Sequence, residues 1–236
     1  MNSSGEIRAV TFDFFETLIR HRAGQGRGRS LSEYLVGCGY SSQPAWHDGA
    51  LYRVFEIHAA QYSPGLGDAE RSRYRVRLAS RVFDELGVGA GVAETSRHAE
   101  AIWEILGPPA FDVYPDVRPI LEYLRGRSVR QAVISNWHCG LDHFVADLGL
   151  ASYFDHVIGS ADCGFAKPDP RIFARASTLL GVSPAHILHV GDSYEADYQG
   201  GREAGFHVTL LDRGAEEHPQ AESVVRRLAD LRSILQ

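Results

Sequence analysis

Lysine is almost missing from this chain: of its 24 basic residues, one is lysine, at position 167, and the rest are arginine. A bias that replaces lysine wherever charge alone is needed leaves one only where a guanidinium cannot serve. A compact ammonium on a flexible stem meets different demands from a planar fork. Cysteine is scarce too. Cys38, Cys139 and Cys163 are odd in number and unpatterned, which argues against a disulfide framework or a structural zinc site and fits a reducing compartment. No run approaches the ~18 apolar residues of a membrane helix. The opening residues carry charge where a signal peptide needs its apolar stretch, so a cytoplasmic location is expected. Positive charge is not in excess. A net charge of −6 and a pI near 6.0 argue against nucleic acid or an anionic membrane as the main partner. There is no internal repeat and no low-complexity tract.

What is present is ordinary for a globular enzyme: 44% hydrophobic and 23% charged residues over 236 positions, enough for one sizeable core and a smaller lobe. Five short apolar runs predict buried parallel strands: Ala9–Phe15, Gln131–Ser135, His156–Gly159, Ile187–Gly191 and His207–Leu211. Helical patterns at Leu141–Leu148, Ile172–Leu180 and Glu195–Ala204 lie between the later four. Asp169-Pro170 and Ser183-Pro184 mark helix starts, and Gly149, Gly181 and Gly205 mark stops. Strand–helix alternation of this kind predicts an α/β fold, a doubly wound parallel sheet with right-handed crossovers.

The rhythm breaks between the first two strands, where the stretch from roughly 21 to 115 is far too long for one crossover helix. Its periodicity is helical. A capping box at Ser30–Glu33 precedes a stripe of Leu31, Tyr34, Leu35 and Cys38. Three further stripes follow: Leu51, Val54, Phe55, His58 and Tyr62; Tyr74, Leu78, Val82 and Leu86; and Val92, Thr95, Ala99, Ile102 and Leu106. The expected organisation is a core at 1–20 and 113–236 with a small helical bundle at 21–112 inserted into it.

In a doubly wound sheet the ligand binds beyond the carboxyl ends of the strands. The residues there are Asp13, then Ser135 and Asn136, then Lys167 at a helix entry, then Asp192, with Asp197 five positions on. Carboxylates at Asp13 and Asp192 can hold Mg²⁺ together with waters and a substrate oxygen. Lys167 can offset charge around a carboxylate nucleophile beside a phosphate. Ser135 and the main-chain N–H groups around Asn136 can hold non-bridging oxygens. A carboxylate nucleophile splits one hard displacement into two easier ones.

At these residues the chain resembles the haloacid dehalogenase (HAD) superfamily. The motifs are FDFFETL (12–18), VISN (133–136), KPDPRIF (167–173) and HVGDSYEADYQGG (189–201), and the last two look especially like the subfamily of haloacid dehalogenase-like hydrolase domain-containing protein 3. The helical insert looks like the superfamily's first-type cap. The resemblance implies a Rossmann-like core, a Mg²⁺ cofactor and a small phosphorylated substrate. Residue by residue, it implies that Asp13 is nucleophile and metal ligand, with Asp192 a side-chain ligand and Asp197 an acidic support. It also implies that Ser135 binds phosphate, that Lys167 is the motif-three lysine, and that the main-chain carbonyl of Phe15 completes the metal's protein ligands.

One departure bears on mechanism. Phosphatases of the superfamily usually carry a second Asp two residues after the nucleophile, where this chain has Phe15. Without that general acid–base group a loss of about 10²–10⁴-fold is expected. Glu16, normally a glycine, is a candidate substitute whose side chain should leave the backbone in another direction. Three readings stand: a Mg²⁺-dependent phosphatase with an impaired acid, a metal-independent 2-haloacid dehalogenase, and a catalytically weak small-molecule-binding protein. The aromatic at Phe15 favours the second, and the retained Asp192 favours the first. A Schiff-base phosphonate hydrolase is closed off, because the insert contains no lysine.

Overall fold

Six parallel strands lie side by side in a computed structural model that describes residues 6–22, 27–40, 68–85, 87, 89–107, 110–137, 140–214 and 218–235. They are β1 (Ala9–Phe12), β2 (Arg130–Ser135), β3 (His156–Gly159), β4 (Ile187–Gly191), β5 (His207–Leu211) and β6 (Val224–Val225). Their order across the sheet is β3-β2-β1-β4-β5-β6. Phe12 is in register with Val133 on one side and Val190 on the other. After β1 the chain winds outward through β2 and β3, then returns to lay β4 against β1's other edge. The carboxyl ends of β1 and β4 therefore flank a topological switch point, the place where such sheets open a crevice. This is a doubly wound, Rossmann-like α/β core.

Apolar helix faces hold it together. In the helix Pro170–Leu180, Ile172, Phe173, Ala176 and Leu180 are buried against Ala9, Ala132, Ile134, Ile158 and Ile187. Ile172, Phe173 and Leu180 each contribute roughly 1.5–3 kcal/mol of burial, and the smaller Ala176 less. The helix begins where Asp169 accepts the Arg171 N–H and Pro170 fills the first position, and it ends at Gly181 with φ +62°. Gly149 and Gly205 are likewise left-handed, at +67° and +81°.

Several sequence expectations need correction. The first strand stops at Phe12, short of Phe15, because the chain turns at once: Leu18 and Ile19 both donate their N–H to the Phe14 carbonyl, and Glu16 takes φ +57°. The helix expected over Glu195–Ala204 is divided, π-helical over Tyr194–Gln199 and α-helical over Gly200–Glu203. At Gly200 and Gly201 the backbone runs so close to Pro168, Phe173 and Val208 that a Cβ would collide. Ser183-Pro184 opens only a 3₁₀ turn, Pro184–His186. The strand Val224–Val225 is too short for periodicity to reveal.

The chain divides into two units. One comprises Met1–Arg20, Val113–Trp137 and Leu148–Gln236 and carries the sheet. The other comprises His21–Asp112 and His138–Asp147. Its described helices include Arg27–Gly37, Asp68–Glu85 and Val92–Leu106, whose shared core contains Leu31, Leu35, Leu78, Val82, Phe83, Ile102 and Leu106. Ser30 lies inside the first of these helices, so the expected capping box is not its start, and Glu33 pairs with Arg29 instead. Cys38 and Val92 are exposed at helix ends, not buried. The stripe from Leu51 to Tyr62 and residue Leu86 lie outside the described residues. No described helix is long and apolar enough to cross a membrane.

Candidate active site

Asp13 follows β1 directly, and its N–H donates to the Val190 carbonyl at 2.8 Å, so the sheet's own hydrogen bonding fixes its backbone. Its side chain is buried and its Oδ1 accepts twice: from Lys167 Nζ at 2.6 Å and from Ser135 Oγ, at the end of β2, at 3.2 Å. Lys167 arrives on the loop before the helix Pro170–Leu180, with a cis peptide to Pro168. Asn136 clamps its backbone: the Lys167 N–H donates to Asn136 Oδ1 at 2.7 Å, and Asn136 Nδ2 donates to the Lys167 carbonyl at 2.8 Å. The Asn136 side chain is thus engaged with the lysine loop.

The same ammonium donates to Asp197 Oδ1 at 2.5 Å. Asp197 comes from the π-helical segment after β4. There the Ser193 Oγ accepts the Ala196 N–H at 3.1 Å, while the Ser193 N–H donates to Asp197 Oδ2 at 3.0 Å. Gly191 is required at the end of β4, because any Cβ there would run into the Asp197 carboxyl. Asp192, exposed at the rim, accepts from Thr17 Oγ1 at 3.2 Å. Phe15 belongs to the turn immediately after Asp13 and bridges to Ile19. Glu16 is held elsewhere in that turn: the Tyr114 hydroxyl donates to its Oε2 at 2.7 Å. The Arg213 guanidinium lies 3.7 Å from the centre of the Tyr114 ring and pairs with Asp116.

The structure therefore brings Asp13, Ser135, Lys167, Asp192 and Asp197 to one rim, with Phe15 in the adjoining turn and Asn136 behind the lysine. Sequence reading missed Thr17, which supports Asp192, and His189 with Thr11, which lie behind Asp197. His189 Nε2 is 3.1 Å from Asp197 Oδ1 and its Nδ1 is 2.9 Å from Thr11 Oγ1. A signal for Thr11 and His189 existed, since polar groups inside a fully buried strand must find partners.

Charge is unevenly compensated here. Burial would lower the Lys167 pKa, but Asp13 and Asp197 outweigh it and raise it. Burial would raise Asp197, but Lys167, then His189, hold it well below the ordinary carboxylate range. Burial raises Asp13; Lys167 opposes that, and Asp197 adds to it. Asp192 is pushed up to about 7, first by desolvation of its carboxyl and then by the carboxylates of Asp13 and Asp197. Among the described residues no ion pair reaches Asp192. Asp13, Asp192 and Asp197 each bring one carboxylate oxygen to within 4.8 Å of the others, an oxygen-only set suited to a hard divalent cation. Like charges gathered this closely repel unless a cation offsets them.

Comparison with known proteins decides the family. A model of haloacid dehalogenase-like hydrolases matches residues 7–205. The chain belongs to this family. It is 30% identical over 208 residues to haloacid dehalogenase-like hydrolase domain-containing protein 3 of Homo sapiens, covering 87% of this chain and 82% of that one. It is 35% identical over 210 residues to a glyceraldehyde 3-phosphate phosphatase of Methanopyrus kandleri, covering 88% and 85%. Among solved structures, a HAD phosphatase from Thermococcus onnurineus superposes with a TM-score of 0.67 at 24% identity over 97% of this chain and 98% of that one, which shows the shared fold. As a family member the chain is a hydrolase.

Proposed function

We propose that this hydrolase is a Mg²⁺-dependent phosphatase acting on a small phosphorylated metabolite through an aspartyl-phosphate at Asp13. The observation that carries the reading is the gathering of three carboxylates with only one ammonium among them. Asp13, Asp192 and the Phe15 carbonyl would hold the ion, with Asp197 in support; when bound, Mg²⁺ offsets negative charge on carboxylate and phosphate. The phosphatase relative from Methanopyrus kandleri supports the same class of substrate. In this proposal residues 1–20 and 113–236 form the catalytic core and 21–112 its cap.

The chain's own groups then divide the work. The Asp13 carboxylate attacks phosphorus, so an O–P bond forms to Asp13 as the bond to the leaving oxygen breaks. Lys167 donates to Asp13 Oδ1 throughout and stabilises the negative charge gathered there. Ser135 Oγ turns its hydrogen from Asp13 Oδ1 to a non-bridging oxygen of the substrate, since the Asn136 amide is occupied by the lysine loop and the Trp137 N–H by Ser160 Oγ. Phe15 has no proton to give, so the leaving oxygen takes its proton from solvent and the second step begins with an unassisted water. That water attacks the phosphoryl group, releasing inorganic phosphate and restoring Asp13. Substrates whose leaving groups depart without protonation, such as aryl or acyl phosphates, are therefore favoured.

The test is release of phosphate from an aryl phosphate with Mg²⁺ and with EDTA, beside Asp13→Asn. Turnover that survives EDTA contradicts the reading. The aromatic at Phe15 favours a second reading, displacement of halide from a short 2-haloacid by Asp13 without metal, for which halide release in EDTA is the discriminating assay. Asp192 argues against it, since metal-free chemistry gains nothing from a further carboxylate beside the nucleophile.

A further inference from the structure

His189 is buried in the middle of β4, inside an otherwise apolar strand, and the phosphatase steps above make no use of it. It is in direct register with Thr11 of β1, and the Thr11 hydroxyl meets its Nδ1 at 2.9 Å. Its other nitrogen meets Asp197 Oδ1 at 3.1 Å. Asp197 already accepts at both oxygens: Lys167 Nζ donates to Oδ1 at 2.5 Å and the Ser193 N–H donates to Oδ2 at 3.0 Å. A carboxylate receiving an ammonium and an amide has no proton to offer, so the hydrogen between His189 and Asp197 belongs to Nε2. The ring is packed on its flank. Phe173 packs edge-on against it at 5.2 Å between centroids.

We infer that His189 is a positioning residue: held by Thr11, it donates through Nε2 to Asp197 and so fixes the Lys167 ammonium on Asp13. The chain of contacts runs Thr11–His189–Asp197–Lys167–Asp13, entirely in buried positions. Lysine's stem is flexible, and Asn136 restrains only its backbone, so the ammonium's placement depends on Asp197. The Ser193 N–H holds Oδ2, and His189 Nε2 is, among the described residues, the one donor besides the ammonium itself on Oδ1, the oxygen that carries Lys167. Supports of this kind typically change activity by about 10–100-fold when removed. The catalytic consequence rests on the phosphatase reading; the donor assignment does not.

The experiment uses the single lysine, because selective nitrogen-15 labelling of lysine yields one ammonium resonance, that of Lys167. In the unaltered protein with EDTA, nitrogen-15 NMR should find His189 protonated at Nε2 and the Lys167 ammonium protons slow to exchange with water. Gln at this position places a donor where Nε2 stands, whereas Asn reaches only to the Nδ1 position. His189→Gln should therefore keep the slow Lys167 signal, and His189→Asn should lose it. With an aryl phosphate and Mg²⁺, kcat of His189→Asn should fall about 10–100-fold at unchanged KM, while His189→Gln retains most of its turnover. An Nε2 without a proton in the unaltered protein overturns the inference even if a variant fails to fold. Equal Lys167 exchange and equal kcat in the Gln and Asn variants overturn it as well. If no form releases phosphate but the NMR pattern holds, the phosphatase reading fails and the positioning role stands.

Discussion

Lys167 places its ammonium 2.6 Å from Asp13 Oδ1, a contact between residues 154 positions apart in the chain and both buried. The contact explains why this arginine-rich chain keeps a lysine here. Asp13 and Asp197 must both be met by one compact donor from a single loop, and a planar guanidinium cannot enter that space in the same orientation. Lys167→Arg should lower kcat by about 10²–10³-fold, the range for losing a preorganised charge donor, while circular dichroism stays near that of the unaltered protein. Full turnover in Lys167→Arg would show that charge alone suffices.

The crowding of Asp192 predicts how the protein responds to metal. A cation bound only by the folded state stabilises it by RT ln(1 + [L]/Kd), about 2.7 kcal/mol at a hundredfold excess over Kd. Thermal unfolding should shift upward with Mg²⁺ in the unaltered protein and show little or no shift in Asp192→Asn. An equal shift in both would place the ion elsewhere.

The same carboxyl sets a pH dependence in metal-free protein. Its folded value, about 7, lies above the ordinary 3.8, so the folded state holds this proton more tightly than the unfolded chain does. Its contribution is fully present below pH 3.8 and is lost as pH rises through about 7. Urea unfolding in EDTA on either side of pH 7 should show stability falling with pH, with a shallower fall in Asp192→Asn. Identical slopes would assign the effect to another group.

Phe15 predicts a gain of function. Phe15→Asp restores a carboxyl two residues after the nucleophile and should raise turnover on poor leaving groups by up to about 10²–10⁴-fold, with little change on aryl phosphates. Steady-state rates on an alkyl and an aryl phosphate make the comparison. Glu16, whose carboxylate accepts the Tyr114 hydroxyl, is expected not to compensate.

Gly191 predicts a steric failure. In Gly191→Ala the methyl group meets the Asp197 carboxyl, which must move and take its hold on Lys167 with it. Both stability and kcat should fall, as seen by denaturation midpoint and turnover. Unchanged values in both would mean that β4 shifts to make room.

Much of this was legible in the residues. Strands buried on both faces read as continuous apolar runs, so the sheet's five longer strands stood out, and the polar residues ending them marked the rim where Asp13, Ser135, Lys167 and Asp192 meet. What stayed hidden depends on contacts between distant segments. The first strand's early end comes from hydrogen bonds back to Phe14, which no periodicity carries. The break after Gln199 follows from how closely the backbone passes Pro168 and Val208. Asn136 looks like a ligand-binding amide until the lysine loop is seen folded over it. His189 resembles any residue of a buried strand until its register with Thr11 and its distance to Asp197 are known.

Asp13 should take up a phosphoryl group only when a divalent cation is shared with Asp192. Acid-quenched reactions with an aryl phosphate, followed by peptide mass spectrometry, test it directly. Phosphoryl mass should appear on the peptide containing Asp13 with Mg²⁺, and should be absent with EDTA, in Asp13→Asn and in Asp192→Asn. Phosphate release at full rate with no phosphoryl group on that peptide, or equal labelling in EDTA, would rule out a metal-dependent aspartyl-phosphate.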